Sequence, residues 1–474
     1  MQEIIMFLSE YGISTTYAVK IFKKYGERTV KLIKENPYRL ADDIAGIGFK
    51  MADNIARNMG IDLSSPYRVL SGIKYSLNQF VMEGHTYAEK NKLINRVKEM
   101  LKVKDDLIED GMISLTINGH IHQEKINDVD VVYLMAFFHS EAGVAKKLME
   151  LSSLEIDEVK IDIDKEIKHL EKKSNIELAV NQIEAIKEAL INGVTVITGG
   201  PGTGKTTIVN SIIDILEDEG CSVGLAAPTG RAAKRITETT QREAKTIHRM
   251  LEYAYSEDGL GMAFNKNGED PLKYDVIIID EVSMVDILLM YHLLKAIEVG
   301  TKVILVGDAD QLPSVGPGNV LRDIIDSGLI KVVKLTEIFR QANESMIVVN
   351  AHKINNGEAP ILNAKDKDFY FMKGRDMESM ISTIKNLCVK RLPTYYNVDP
   401  YKDIQVLTPM KNGKCGSINL NVELQAVLNP PNKNKAECKI GDLILREGDK
   451  VMQIKNNYNI SWKSKDGLMN GEGV

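Results

Sequence analysis

The chain has little cysteine, no long apolar run and no excess of positive charge, and each shortage removes a class of protein. Four cysteines are spread over 474 residues. They are Cys221, Cys388, Cys415 and Cys438, with no C-x-x-C pair and no histidine at ligand spacing. The pattern predicts a reducing compartment and no structural zinc. No apolar stretch approaches ~18 residues and no charged-then-apolar leader opens the sequence, which predicts a cytoplasmic protein with no membrane span and no secretory signal. Lys and Arg number 60 against 66 Asp and Glu, a net charge of −6. Bulk composition therefore gives no sign of a nucleic-acid partner, and only a local basic groove would supply one. Long internal repeats and low-complexity segments are also absent.

What is present begins with bulk. At 44% hydrophobic and 27% charged residues, the chain can bury large cores and is too long for one ordinary domain, so two to four are expected. The pattern changes near residue 175. Residues 1–170 read as helices punctuated by short turns. Beyond them apolar strands alternate with helices, which implies a parallel sheet with crossover helices. Strands are expected at Val194–Thr198, Ser222–Ala227, Val276–Ile279 and Val303–Val306, and in open α/β sheets the loops at the carboxyl ends of such strands build the ligand site.

The first of these strands runs into Gly199, Gly200, Pro201, Gly202, Thr203, Gly204, Lys205, Thr206 and Thr207, which fits G-x-x-x-x-G-K-[ST] from Gly199 to Thr206. Glycines let backbone N–H groups close around an anion, and a helix beginning near Lys205 adds its positive dipole end. The loop is suited to phosphate, with Lys205 reaching the β- and γ-phosphates and the Thr206 hydroxyl holding Mg2+. A second apolar strand, Val276–Ile279, delivers Asp280 and Glu281 at its end. Asp280 is expected to hold the metal and Glu281 to orient and deprotonate the attacking water. A third, Val303–Val306, ends in Gly307, Asp308, Ala309, Asp310 and Gln311, where Gln311 is placed to sense a γ-phosphate.

In the helical front, Leu40 to Ala56 reads as helix, Gly46-Ile47-Gly48 turn, helix. Such a turn offers backbone N–H groups to a DNA phosphate without reading sequence. An imperfect copy precedes it at Tyr11-Gly12-Ile13-Ser14, where Ser14 stands in place of the second glycine. A plain helix hairpin packed for stability is the alternative for either turn alone.

The ordered succession of Gly199–Thr207, Ala227–Ala233, Thr246–Arg249, Ile279–Met284, Gly307–Pro313 and Leu335–Gln341 closely resembles the motifs of RecD-like superfamily 1 DNA helicases. The tandem hairpins, Leu407–Gly413 and Gly448–Gln453 extend the resemblance over nearly all of the chain. It implies RecA-like P-loop NTPase motor domains preceded by an all-α helix-hairpin-helix region: a helical front over 1–170, a first motor domain over 171–335, and a partial second motor domain over 336–474 running into an inserted small β-domain. It also implies ATP and Mg2+ as cofactors and 5′ to 3′ movement on single-stranded DNA, with a duplex bearing a 5′ tail as substrate. Residue by residue, Gln182 matches the adenine-reading glutamine, Thr229 and His248 match positions facing single-stranded DNA, and Arg340 matches an arginine that reaches the γ-phosphate.

Between His248 and Asp280, near 251–272, apolar residues alternate on either side of Asp258-Gly259, a strong hairpin signal. The family carries a duplex-splitting pin at this point, and Tyr253, Tyr255 and Phe264 are candidates to stack on bases; a surface hairpin without mechanical role is the alternative. The family's histidine-lysine-glutamine-glycine motif and a later arginine-bearing motif are missing, so a truncated relative or fragment, weakly active alone, is expected. A nucleotide-gated DNA-binding repair module without strand separation is the competing function. A P-loop GTPase or small-molecule kinase is disfavoured, because no Asn-Lys-x-Asp base reader occurs.

Overall fold

Amphipathic spacing builds the front of the molecule. In the fifth helix, Phe49, Ala52, Ile55 and Ala56 recur at intervals of three and four and are all buried. The computed structural model describes residues 2–153, 162–174, 177–255, 262–337, 344–362, 364, 367–452, 461–464 and 467–470. The chain divides into two units, Met1–Ala342 and Asn343–Val474. The first begins with α1 (Gln2–Glu10), α2 (Thr15–Tyr25), α3 (Thr29–Glu35), α4 (Arg39–Asp43), α5 (Phe49–Asn58) and α6 (Pro66–Met82).

The two hairpins brace each other. Tyr17 Oη of α2 donates to Gly46 O at 3.0 Å, and Asn58 Nδ2 of α5 reaches Tyr11 O at 3.5 Å. Beneath them Arg68, 2% exposed, donates to both carboxylate oxygens of Asp53 at 2.8 and 3.3 Å and to the carbonyls of Leu63 and Leu101. Tyr38 Oη donates to the same Asp53, and Arg57 pairs with it.

A three-stranded antiparallel sheet follows in this helical region, in the order β1 (Tyr87–Glu89), β3 (Val129–Leu134), β2 (Ile121–Ile126). The reading of 1–170 as helical lacks it. These strands are short, and their turn, Asn127 and Asp128 at φ 47° and 65°, is a left-handed pair with no glycine to announce it. α7 (Lys90–Leu101) and α8 (Asp105–Ile117) flank the sheet, and α9 (Met135–Ser152) leaves it.

α9 packs onto the motor. A Cβ on Gly143 would lie 2.4 Å from the ring of Tyr291, so only glycine admits that ring. Val144, Leu148 and Leu151 join one apolar core with β-strand residues from Val194 to Leu305.

The motor is a six-stranded, wholly parallel sheet in the order β11 (Lys331–Leu335), β4 (Val194–Gly199), β10 (Lys302–Gly307), β9 (Val276–Ile279), β5 (Val223–Ala227), β6 (Ala244–Thr246). Strands buried on both faces read as unbroken apolar runs, and no residue of β9 is more than 2% exposed. One face is covered by α9, α15 (Ile287–Lys295) and α16 (Val320–Ser327). The other is covered by α10 (Ile163–Ser174), α11 (Val180–Ile191), α12 (Lys205–Asp218) and α13 (Gly230–Thr240). After α14 (Ile247–Met250) an antiparallel pair, β7 (Tyr253–Tyr255) and β8 (Met262–Phe264), stands apart from the sheet with Tyr253 opposite Phe264. Its expected Asp258-Gly259 turn lies outside the described residues.

The second unit has helices Met346–Asn355, Met377–Asn386 and Ser417–Leu428 and two antiparallel strand pairs, Glu437–Ile440 with Leu443–Arg446 and Ser461–Ser464 with Gly467–Asn470. Asn429 ties the first pair to the preceding helix, its Nδ2 donating to Glu447 O and Asp449 Oδ1 at 3.1 and 2.7 Å. No helix among the described residues is long and apolar enough to cross a membrane.

Candidate active site

β4 delivers the glycine loop at its carboxyl end. Gly199 has to be glycine: a Cβ there would meet Thr203 Oγ1 at 2.7 Å and the neighbouring strand at Leu335 Cβ and O at 2.9 and 3.0 Å. Gly202 and Gly204 turn the loop through φ 78° and 81°, a conformation that costs other residues dearly. Thr203 Oγ1 donates to Gly200 O at 2.9 Å, which closes the turn, and α12 starts at Lys205 with its free N–H groups facing the loop. Lys205 folds back over it, Nζ donating to Gly199 O and Gly200 O at 2.5 and 3.1 Å. Burial lowers the pKa of this ammonium, while the charges of Asp308, Glu281 and Asp280 oppose the shift. Thr206 and Thr207 are exposed at the start of the helix.

The carboxylates converge because β10 lies between β4 and β9 in the sheet. Asp280 N donates to Ala226 O, and the Asp280 carboxylate caps Glu281 N at 2.8 Å. Burial raises the Asp280 carboxyl above its ordinary range. Glu281 is raised by burial and then by the charge of Asp280. Its backbone is left-handed, φ 55° and ψ 40°, a conformation that costs a non-glycine residue about 1–2 kcal/mol and is concentrated at functional sites.

Sequence reasoning passed over two members of this group. Asp308, 3% exposed, accepts from Asp310 N at 3.1 Å and from Gln311 Nε2 at 3.4 Å. Gln311 itself is exposed, so the buried anion of the third strand end is Asp308. An acidic residue ending a strand that abuts the phosphate-loop strand was the available signal. Arg235 of α13 is the other: its charge is felt by Lys205, Asp280 and Glu281 together. The loop is anchored on both sides, by Ala309 N donating to Thr198 Oγ1 at 3.2 Å and by Gly318 N donating to Gly84 O of the front region at 3.0 Å.

Gln182 is 2% exposed, and its amide is engaged at both ends. Nε2 donates to Thr203 O at 3.2 Å and Oε1 accepts from Ala179 N at 3.0 Å, so this side chain straps α11 to the phosphate loop. Thr229 Oγ1 accepts from Ala232 N and caps α13. His248 stands against Tyr253 and Phe264, ring centroids at 5.5 and 5.7 Å, and Phe264 continues to His292 at 4.6 Å. Burial pushes both imidazoles below their ordinary pKa. Gly46 sits at φ 99° and Gly48 N-caps α5, while the Ile47 N–H between them is taken by Ile44 O at 3.0 Å. Arg340 lies outside the described residues.

The donors fit the group the loop implies. The Thr206 hydroxyl and the Asp280 carboxylate are hard oxygen ligands suited to Mg2+, which keeps most of its own waters beside phosphate.

Comparison with known proteins follows the same layout. A model described as an AAA domain matches residues 182–317, one described as the HHH domain of ATP-dependent RecD2 DNA helicases matches residues 1–87, and one described as the SH3 domain of ATP-dependent RecD-like DNA helicases matches residues 420–473. The ATP-dependent RecD2 DNA helicase of Deinococcus radiodurans is 30% identical over 467 residues, covering 95% of this chain. The chain spans 61% of that relative's length. The RecBCD enzyme subunit RecD of Mycobacterium tuberculosis is 40% identical over 168 residues, covering 31% of this chain and 28% of that one. Among solved structures, the Pif1 helicase of Candida albicans is similar at 25% identity and a TM-score of 0.30, covering 39% of this chain and 45% of that one.

Proposed function

We propose, from the premise that the chain belongs to the RecD-like DNA helicase family, that it hydrolyses ATP and couples the reaction to 5′ to 3′ movement on single-stranded DNA and to duplex unwinding. The observation that carries the reading is the convergence of Lys205, Asp280, Glu281 and Asp308 at the carboxyl ends of three adjacent strands. Phosphates are held by the N–H groups of Gly200 and of Gly202 to Thr207, and by Lys205, released from its loop carbonyls. Mg2+ bound by Thr206 and Asp280 would neutralise phosphate charge. Glu281, whose carboxylate is made more basic by burial, takes a proton from the attacking water. Gln311, hydrogen-bonded to Asp308 at the end of the strand beside β4, is assigned to sensing the γ-phosphate, and Arg340 to charge developing in transfer. Gln182 is assigned to the base, which requires its amide to leave Thr203 O and Ala179 N and so links base recognition to the loop.

Gly46, Gly48, Thr229 and His248 are assigned to the DNA backbone, and the β7–β8 hairpin to strand separation. The test is steady-state ATPase with and without single-stranded DNA, together with displacement from 5′-tailed and 3′-tailed duplexes. Slow turnover that DNA raises, with weak displacement confined to the 5′ tail, is expected of a chain lacking the later cleft motifs. Turnover indifferent to DNA, or displacement from the 3′ tail alone, overturns the reading.

A further inference from the structure

At the outer edge of the motor sheet, remote from the phosphate loop, a cavity of about 270 Å3 lies between β6–α14 and the arm that returns from the β7–β8 hairpin. Lys245 and Arg249 line it from β6–α14 and Lys266 and Lys273 from the arm, together with Tyr274, and Glu252 is the one acidic lining residue. In a chain of net charge −6 this is a local concentration of cations. The return arm is held rigidly: Lys266 N donates to Leu251 O at 3.1 Å, Leu272 N donates to Ala296 O at 2.8 Å, and Asn267 Oδ1 accepts from Glu269 N. Lys266 is already paired with Asp270 at 2.8 Å. Neither the Lys245 nor the Lys273 side chain has a hydrogen bond or ion pair among the described residues, although Lys273 lies in the field of Asp270. The adjoining cavity brings Glu217 and Glu243 beside Arg242, so the cationic run stops there.

We propose that this groove holds the phosphodiester backbone of the DNA strand that the hairpin excludes. The inference rests on the function proposed above, and its commitment to the excluded strand comes from position. Thr229 and His248 follow β5 and β6 at their carboxyl ends, where the tracked strand is assigned. The groove instead descends the outer edge of the sheet from Arg249, next to the hairpin foot, to Lys273 before the amino end of β9. Although Arg249 follows His248 on the same short helix, the lysines continue away from the carboxyl ends of the strands, and on that placement the groove is assigned to the second strand. Rigid walls bearing ammonium groups suit a single phosphate row, which needs charge at fixed spacing and no base reading.

The test uses the full chain and two probes, a duplex with a 5′ tail and the same duplex with a 3′ tail added on the other strand, followed by fluorescence anisotropy between 50 and 200 mM salt. The parent should bind the forked probe more tightly. Two single-strand phosphate contacts at about 0.7 each in the salt exponent amount to about sevenfold across a fourfold change in salt. Lys245→Gln with Lys273→Gln should abolish that gain and leave binding of the 5′-tailed probe and of a fluorescent ATP analogue unchanged, whereas Lys245→Arg with Lys273→Arg should keep it. A parent without the gain, or a Gln pair that retains it, overturns the proposal alone if 5′-tailed duplex is still unwound. A parent that binds neither probe overturns the proposed function as well.

Discussion

Glu281 offers the sharpest test of the site, because its side chain and its backbone make separate demands. At a site with negative φ, alanine is more stable than glycine by about 0.4–1 kcal/mol, since glycine leaves the unfolded chain with more freedom to lose. At φ 55° the Cβ costs about 1–2 kcal/mol, so the order should invert and Glu281→Gly should exceed Glu281→Ala by about 1 kcal/mol in urea unfolding at equal m. Both variants, and Glu281→Gln, remove the general base and should lower turnover by about 10²–10⁴-fold, with nucleotide binding kept. Lys205→Ala should lose the binding itself.

The pH dependence has a definite sign. A carboxyl raised in the folded state binds protons there that the unfolded chain has released, so stability falls as pH rises from the ordinary carboxyl value through the raised one. Burial followed by the charge of Asp280 raises Glu281 above 4.5. The parent should therefore carry a stability penalty above that window that Glu281→Gln lacks, and its turnover should fall on the acid side at a pH above 4.5. Alanine equal to or more stable than glycine at this position would refute the strain argument. Undiminished turnover in Glu281→Gln would refute the assignment of the base.

Asp53→Asn should cost about 3–5 kcal/mol, because it leaves the buried Arg68 without its counter-charge. Burial alone would raise the Asp53 carboxyl, but Arg68, Tyr38 and Arg57 together hold it below 3.8, so its contribution is present above that value and lost as pH falls through the depressed one, as acid unfolding followed by circular dichroism would show. Gly46→Ala places a Cβ 2.8 Å from Tyr17 Oη at φ 99°, and should cost about 1–2 kcal/mol and weaken DNA binding on all sequences alike, read by anisotropy with two unrelated probes. Phe264→Ala removes the ring between His248 and His292 and should leave DNA-stimulated ATPase intact while reducing strand displacement; equal loss of both would return the hairpin to a packing role.

The phosphate loop and the ends of β4, β9 and β10 were legible in the amino-acid sequence because their causes are local. A strand buried on both faces must be apolar at every position, a loop that closes on phosphate needs glycine at fixed spacing, and Asp280 and Glu281 stand out against the run of isoleucine before them. The ordered motifs also carried the family. Contacts made over long separations were decided by tertiary structure. Parallel pairing inserts β10 between β4 and β9, and that insertion turns Asp308 from a polar strand end into a buried anion beside Lys205. Gln182 straps a carbonyl 21 residues away, which no periodicity marks. The β2–β3 hairpin escaped notice because six-residue strands with a glycine-free turn resemble the polar face of a helix. α9 belongs to the motor core only because Gly143 leaves room for the Tyr291 ring. Lys245 and Lys273 are ordinary solvated lysines in sequence; the fold brings them to one groove, where their charges add because the chain between them has doubled back.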